Sequence, residues 1–168
     1  MLPDAKYKHD HSLTRKCVML IANNTAPLLG SKSQAMKEAW AFVKKGGTVT
    51  NAVGVTFGGC QNVLRCLEQH PIQDVGYLLQ REPDNPYDAN AIRVDGYLLG
   101  RCAGQAGHLP RDLAAVLAPL MDAGVPFHVP QHAIYGGWGQ GVSLGVKLRI
   151  RFANNTERSE QKCLNATA

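Results

Sequence analysis

The residues best suited to chemistry lie in one loop, where two prolines frame carboxylate and amide side chains. The stretch LQREPDNPYDANAIRV at 79–94 runs from an apolar strand through this loop into another strand. Pro83 and Pro86 fix the backbone and withhold donors, while Asp and Asn side chains bond back onto turns. A stiff loop that presents Tyr87 beside Asp88 is typical of a binding site. The alternative is a structural turn that Asp88 merely caps.

The same loop and a later histidine also contain possible metal ligands. Four side chains are of the types that hold a divalent ion over a phosphate: Glu82, Asp84, Asp88 and His108. A metal-dependent nuclease or phosphohydrolase is therefore one alternative. Against it, the chain contains no Walker loop, no HExxH motif and no nucleophile elbow. We expect a binding module with no catalytic residue, no metal and no cofactor.

Two further features near the end of the chain suit a ligand surface. The glycine-rich run GGWGQG at 136–141 has Trp138 at its centre, which either stacks on a ligand or folds back over one end of the fold. The final strand alternates apolar residues with Lys147, Arg149 and Arg151. These charges form a predicted basic stripe, which is either a solvated outer face or a track for phosphates.

The elements that position these residues are mostly β-strands, so we predict a mainly β fold with helices (α+β). One helix is predicted over 110–123, with Pro110 in its first turn and Gly124 beyond its end. Six segments have strand-like patterns bounded by Gly, Pro, Asp or Asn and together predict a small six-stranded barrel: 48–57, 62–68, 75–82, 91–102, 127–135 and 142–152.

Residues 1–46 form a predicted extension that contains an amphipathic helix at 31–45. Ser31 is a suitable N-cap that begins a capping box, and two glycines follow the helix. The apolar face around Trp40 either packs on the chain's own core or docks on a larger enzyme, as in a protein-interaction adaptor. The short apolar segment at 16–22 is predicted to be a strand.

The distribution of charge limits the kind of partner. The net charge is +5, but residues 1–46 hold eight Lys and Arg against three Asp and Glu, whereas residues 47–152 hold eight of each. A module with a neutral core lacks the dense basic surface that grips duplex DNA, so any nucleic-acid recognition must be local and shape-based. A polar tail follows at 153–168.

The chain also lacks the features of an exported or membrane protein. No apolar run approaches the roughly 20 residues that span a bilayer, and the first ten residues are polar. The five cysteines are odd in number and form no CxxC pair. We therefore expect a cytoplasmic protein with reduced thiols and no membrane contact.

Four segments together resemble the HIRAN domain. They are VGVTF at 53–57, LLQREPDNPYDANAIRV at 78–94, GHLP at 107–110 and LAAVLAPLMDAG at 113–124. The resemblance spans roughly 48–152, and REPDNPYDANAI is the family's hallmark string. It implies a six-stranded OB-like barrel with two helices that reads the 3′ end of single-stranded DNA. It also implies a context of DNA repair, replication or restriction, with a larger helicase or nuclease as a partner.

The resemblance also assigns roles to individual residues. Asp88 matches a carboxylate that accepts a hydrogen bond from a terminal 3′-hydroxyl, and Tyr87 is its aromatic neighbour. His108 matches a pocket histidine that donates to the terminal nucleotide, and Phe57 matches an aromatic on which a base stacks. This chemistry selects an end, because a carboxylate accepts a hydroxyl proton but repels an internal phosphodiester.

The chain departs from the family pattern at two positions. Thr56 stands where a related domain has an arginine, and Gly58 where it has a second aromatic, so one phosphate clamp and one stacking surface are missing. Tyr135 or Trp138 is the expected counterpart of another family aromatic. As a hypothesis, the basic stripe at Lys147 and Arg149 or the basic amino-terminal segment supplies the lost charge.

Overall fold

The computed structural model describes residues 11–152, which form four α-helices and six β-strands, so the predicted α+β class is confirmed. The helices are α1 (His11–Leu29), α2 (Lys32–Lys45), α3 (Cys60–Glu68) and α4 (Arg111–Asp122). The strands are β1 (Gly47–Asn51), β2 (Val75–Arg81), β3 (Ile92–Leu98), β4 (Arg101–His108), β5 (Phe127–Gly136) and β6 (Leu144–Phe152). The predicted polar tail at 153–168 lies outside the described residues.

The six strands pair as two antiparallel sheets of three, in the orders β1-β6-β5 and β2-β3-β4. An isolated backbone bridge between Val53 and His108 connects the segment after β1 to the end of β4. Elsewhere, His132 Nε2 on β5 donates to the Val75 carbonyl on β2 at 2.9 Å. Within residues 11–152 the strand pairing does not close a barrel, so that part of the prediction is corrected, and the OB-like topology stays a prediction.

The segment at 62–68 lies in helix α3 and not in the predicted strand. Its apolar residues recur at helical spacing, and Leu64 and Leu67 are fully buried. The helix lies close to the sheet because β3 and β4 present glycines there. A Cβ on Gly96 would lie 2.6 Å from Leu67 Cδ1, and one on Gly104 would lie 2.9 Å from Val63 Cγ2.

Two other strand predictions are corrected in their boundaries. The segment at 48–57 is a strand only as far as Asn51, and the chain then enters turns. The segment at 91–102 contains all of β3 and the start of β4, because a turn at Leu99 and Gly100 separates the two strands. Strand β4 therefore takes the place of 62–68 as the sixth strand.

The segment at 16–22 lies in helix α1, so its prediction as a strand was wrong. Its buried residues are Cys17, Val18, Ile21 and Ala22. This spacing places them on one helical face, which packs against α2 and α4. A short apolar run cannot by itself distinguish such a face from a strand.

Helix α2 confirms the prediction for 31–45 in its details. The Ser31 hydroxyl accepts the Gln34 N–H at 3.1 Å, and Gly46 ends the helix in the left-handed region at φ 68°. The predicted helix at 110–123 is also confirmed as α4, with Pro110 as its N-cap residue. Buried residues of all four helices and both sheets form one continuous core.

None of the helices within residues 11–152 is long and apolar enough to cross a membrane. The four described cysteines are free thiols, as predicted: Cys17, Cys60, Cys66 and Cys102. The cytoplasmic location stays a prediction.

Two buried tyrosines on adjacent strands provide a matched test of the core. The Tyr77 hydroxyl has no hydrogen-bond partner within the described chain, and burial raises its pKa. The Tyr97 hydroxyl is not among the unpaired buried groups, and Tyr97 pairs across the strands with Cys102. Because an unpaired buried hydroxyl costs about 1–3 kcal/mol, Tyr77→Phe should leave the free energy of unfolding in urea unchanged or raise it by about 1 kcal/mol.

The matched variant Tyr97→Phe removes a hydroxyl that has a polar neighbour in Cys102 and should lower the free energy of unfolding by about 1 kcal/mol. A larger loss for Tyr77→Phe than for Tyr97→Phe would show that the Tyr77 hydroxyl has a partner in solution.

Candidate functional site

The acidic loop between β2 and β3 (residues 82–91) is built from two successive backbone turns. In the first, which has a proline at its second position, the Asn85 N–H donates to the Glu82 carbonyl at 3.1 Å. In the second, the Ala91 N–H donates to the Asp88 carbonyl at 2.9 Å. The Glu82 N–H then donates to the Ala91 carbonyl at 3.0 Å, so the two ends of the loop are pinned together.

Side chains hold the tip of the acidic loop. Asn85 Oδ1 accepts the N–H groups of Tyr87 at 3.0 Å and of Asp88 at 3.3 Å. Asp88 Oδ1 accepts the Asn90 N–H at 2.9 Å, so Asp88 does cap the turn. Its second oxygen, Oδ2, lies 3.9 Å from Arg111 Nε. One carboxylate oxygen is therefore structural, and the other faces an exposed guanidinium.

The acidic loop is also held from its base by Arg81, the last residue of β2. Its Nη1 donates to the Ala91 carbonyl at 2.7 Å and its Nη2 to the Ala89 carbonyl at 3.0 Å. The same guanidinium pairs with both carboxylate oxygens of Asp122 at the end of α4. Since Arg81 is mostly buried, this bidentate pair fixes the loop against α4.

Glu82 is the centre of a polar network that joins the acidic loop to β4. Its Oε2 accepts from His108 Nε2 at 2.9 Å and from Asn85 Nδ2 at 3.1 Å, and its Oε1 lies 3.4 Å from Arg93 Nη1. Burial alone would raise the pKa of the Glu82 carboxyl. Hydrogen bonds from His108 and Asn85, with attraction to His108 and Arg93, outweigh burial and hold this pKa below its ordinary value.

Both ring nitrogens of His108 are engaged. Nε2 bonds Glu82, and Nδ1 lies 3.3 Å from Gln105 Nε2. Because an ionised Glu82 carboxylate can only accept, Nε2 carries the proton of the hydrogen bond to Glu82. In the free protein the predicted nucleotide donor is therefore directed at a carboxylate of the acidic loop.

The Phe57 turn (residues 54–59) lies beside the end of β4. Val53 and His108 exchange two backbone hydrogen bonds, at 2.8 and 2.9 Å. This close approach requires Gly107, because a Cβ there would lie 2.8 Å from the Val53 carbonyl oxygen. The Phe57 ring is 76% exposed. The turn therefore presents an uncovered aromatic ring from the segment that borders His108.

One glutamine in the first turn of α3 ties the Phe57 turn to the glycine-rich loop (residues 137–143). Gln61 Nε2 donates to the carbonyls of Val55 and Leu144, both at 2.9 Å. Its Oε1 accepts the Leu144 N–H, also at 2.9 Å. Since Leu144 directly follows the glycine-rich loop, Gln61 fixes the base of that loop against the turn.

The other predicted residues lie on or beside the outer face of the β1-β6-β5 sheet. Lys147 and Arg149 are exposed and alternate with buried residues of β6, as predicted. Tyr135 pairs with Gly145, and a Cβ on this glycine would lie 2.5 Å from Tyr135 Cζ, so the ring covers that position. Trp138 is 89% exposed and does not fold back over the end of the fold.

The structure thus divides the predicted residues into two groups. Asp88 and Tyr87 share one loop, and the Glu82 network connects that loop to His108. Tyr135, Lys147, Arg149 and Trp138 lie on the neighbouring sheet or its connecting loop. Phe57 belongs to the turn between these groups, bridged to one by Val53 and to the other by Gln61.

Several residues that complete the site were not predicted as part of it. Arg111 follows the GHLP segment directly, and this position was the available signal. Glu82 was considered only as a metal ligand. Gln61 gave no sequence signal, and Arg81 entered only as the first residue of the hallmark string, because their roles depend on groups far along the chain.

The metal alternative finds no support in this geometry. Among residues 11–152, no group of three or more His, Cys, Asp and Glu side chains is arranged to hold a metal ion. Glu82 and His108 bind each other, and Asp84 is exposed to solvent.

Comparison with known proteins places residues 48–134 in a match to the family model described as HIRAN domain. Helicase-like transcription factor from Mus musculus is 50% identical over 44 residues, and the protein of that name from Homo sapiens is also 50% identical over 44 residues. A putative SWI/SNF-related matrix-associated actin-dependent regulator of chromatin subfamily A member 3-like 1 from Arabidopsis thaliana is 53% identical over 45 residues.

These alignments cover 26–27% of this chain but only 4–5% of each relative. The chain therefore corresponds to a small part of the curated relatives that it matches. No solved structure gives a significant match.

The Glu82 network predicts a defined dependence of stability on pH. Because the pKa of Glu82 in the folded chain lies below its ordinary value of 4.5, its ionised form stabilises the fold above that pH. This stabilisation is lost as the pH falls through the folded pKa. Glu82→Gln keeps an acceptor but removes the charge, so it should lower the free energy of unfolding at neutral pH by about 1 kcal/mol.

Urea unfolding of the original chain and of Glu82→Gln, at neutral pH and near pH 3, measures this effect. The difference between their free energies of unfolding should shrink at the acidic pH. The control is Asp84→Asn, an exposed acid in the same loop, which should match the original chain under both conditions. A loss for Glu82→Gln that is the same at both pH values would contradict the network's electrostatic role.

Proposed function

This chain belongs to the HIRAN domain family, a family of DNA-binding modules, and on that premise we propose that it binds single-stranded DNA at a free 3′-hydroxyl end. The observation that carries this proposal is the position of Asp88. Its carboxylate keeps one oxygen outside the hydrogen bonds of the turn, next to an exposed cation and in a loop connected to His108.

Selection of an end follows from the chemistry of that oxygen. A 3′-hydroxyl donates a hydrogen bond to Asp88 Oδ2, and the charge on the carboxylate strengthens the bond. A 3′-phosphate or a continuing phosphodiester at the same place brings a second negative charge, which the carboxylate repels. The site therefore favours a strand that stops at this point.

Arg111 supports the proposal because it offers a cation beside the terminal position. Its side chain is 73% exposed and lies in the first turn of α4, where the helix dipole also favours anions. A phosphate one step before the 3′ end would lie between this guanidinium and the helix N-terminus. Arg111 in this way offsets the phosphate clamp that Thr56 cannot provide.

The basic stripe offers a continuation for the strand. Lys147 pairs in register with Asn51, and the next residue, Ala52, donates its N–H to the Val146 carbonyl at 3.0 Å. The stripe on β6 thus leads towards the segment that carries Phe57. We assign Lys147 and Arg149 to phosphates of the strand that lie further from its 3′ end.

Three aromatic rings on loops suit unpaired bases. Phe57, Tyr87 and Trp138 are 76%, 90% and 89% exposed, so burial in the core does not account for them. Stacking of a base on such a ring contributes about 1–3 kcal/mol and tolerates any sequence. These rings provide stacking surfaces in a chain that has Gly58 in place of one family aromatic.

The function proposed for the module is binding without covalent chemistry. Asp88 is engaged in the turn and Glu82 in the His108 contact, and this arrangement suits recognition. We assign His108 the role of positioning the acidic loop through Glu82. Donation to a nucleotide, which the resemblance implies, requires His108 to exchange that partner.

The biological context is proposed from the relatives. Two of them carry the name helicase-like transcription factor, which favours work beside a larger helicase or nuclease in DNA repair, replication or restriction. For this chain, such a partner and such a process are proposals that follow from the family and not from the geometry.

Fluorescence anisotropy with short single strands that end in either a 3′-hydroxyl or a 3′-phosphate tests the proposal. The 3′-hydroxyl strand should bind at least about tenfold more tightly, because a hydrogen bond to a charged group contributes about 1.5–3 kcal/mol. Asp88→Asn keeps an acceptor for the Asn90 N–H, so the loop should remain folded while the preference for the 3′-hydroxyl disappears.

Two control variants separate end selection from other effects. Asp84→Asn changes an exposed acid in the same loop and should preserve the preference. Phe57→Ala should weaken the binding of both strands by about 1–3 kcal/mol, the contribution of one stacked base. Equal affinity of the original chain for the two strands would refute end recognition.

A further inference from the structure

Helices α1 and α2, which lie outside the family match, leave an open groove between them. The cavity measures about 530 Å³ and is lined by Arg15, Lys16, Val18, Met19, Met36 and Trp40. Two of these side chains are apolar yet substantially uncovered: Met19 is 44% exposed and Trp40 is 39% exposed. The groove thus presents an apolar floor to solvent, and none of its lining residues is assigned to the proposed DNA site.

Cations surround this apolar floor at both ends. On α2, Lys32, Met36, Trp40 and Lys44 follow one another at four-residue spacing, which places them along one line of the helix. On α1, Arg15 precedes Met19 by the same spacing. The resulting pattern is a central apolar stretch with a positive charge at each end.

No acidic side chain balances these cations within residues 15–46 except Glu38. The Glu38 carboxylate accepts a hydrogen bond from Gln34 Nε2 at 2.8 Å, on a different line of α2 from Met36 and Trp40. The groove therefore combines exposed apolar surface with positive charge that has no acidic partner along the groove among residues 15–46.

We infer that this α1/α2 groove binds an acidic amphipathic segment of a partner protein. An amphipathic helix laid along two helices inserts its apolar residues every three or four positions, and flexible methionines adapt their shape to such residues. Acidic residues at the ends of the segment pair with Lys32, Lys44 and Arg15. The charge pattern thus specifies the partner's chemistry, and the apolar floor supplies most of the buried area.

Two other occupants fit the groove less well. In a symmetric pair of copies, the basic ends of one groove would face the same basic patch on the other copy, and like charges repel. Single-stranded DNA requires a continuous path of cations with several rings for stacking, whereas the centre of this groove has one ring, Trp40, among aliphatic and thioether side chains.

The position of α1 gives the groove a connection to the DNA-binding half of the molecule. Asn24, on the same helix as Met19, donates to Asn90 Oδ1 of the acidic loop at 3.3 Å and also to the Ala115 carbonyl of α4. A partner held by α1 is therefore attached to the helix that contacts the proposed binding loop.

A displayed library of random peptides of about 15 residues, long enough for four helical turns, tests the inference on the full chain. Selection should enrich peptides with apolar anchors at helical spacing and Asp or Glu near their ends. Trp40→Ala should lower the affinity for an enriched peptide by at least about tenfold, as expected for a central aromatic contact. The double variant Lys32→Glu, Lys44→Glu should do the same, and because both lysines are exposed it keeps the fold.

Matched controls lie outside the groove. Ile72→Ala removes another exposed apolar side chain, and Arg65→Glu reverses another exposed charge; neither should alter peptide affinity. Trp40→Ala should also leave the affinity for a 3′-hydroxyl single strand unchanged, so failure here is distinct from failure of the DNA proposal.

Four outcomes would overturn the inference. They are the absence of enriched peptides, enrichment without an acidic bias, a dimer in solution that Trp40→Ala abolishes, and loss of single-stranded DNA binding in the Lys32→Glu, Lys44→Glu variant. The third outcome would assign the groove to a second copy of the chain, and the fourth to nucleic acid.

Discussion

The hydrogen bond between Glu82 and His108 is the contact on which the site depends. His108 connects three parts of the site. Its side chain bonds the acidic loop, and its backbone pairs with Val53 beside the Phe57 turn. Helix α4 begins three residues later, at Arg111. The carboxylate, the aromatic turn and the exposed guanidinium therefore have fixed positions relative to one strand end. The binding surface is assembled from loops, but a partly buried polar contact at the end of β4 makes it rigid.

Local signals in the sequence predicted part of this structure well. Ser31 and Gly46 mark the ends of α2 by their own hydrogen bonds and backbone angles, and the prolines of the acidic loop predict its turns. Strand β4 was harder to recognise, because Gly104 and Gly107 interrupt its apolar pattern. Glycine is needed at these positions because Val63 and the Val53 carbonyl lie close to the backbone there. Such contacts between distant parts of the chain cannot be read from the local sequence.

The site shows the same division between local and distant information. Asp88 and His108 were identified through the resemblance to a family, and the loop around Asp88 through its residue types. Gln61 was not identified, because its amide bonds Leu144, 83 residues away. Of the two amino-terminal helices, α2 was predicted and α1 was not. The buried residues of α1 are recognised as a helical face only from their packing on α2 and α4. As a result, α2 and the acidic loop were easier to predict than α1 and α3.

The most direct test of the central claim locates a 3′ end on the protein. Amide NMR signals of the isotope-labelled chain would be recorded in two complexes. In one, the bound single strand carries a spin label near its 3′ end and keeps a free 3′-hydroxyl; in the other, the spin label is at the 5′ end. Our account predicts that the 3′ label broadens the signals of Phe57, Asp88 and His108, and that the 5′ label leaves them sharp. Broadening of these signals by the 5′ label, or of α1 and α2 alone by the 3′ label, would contradict it.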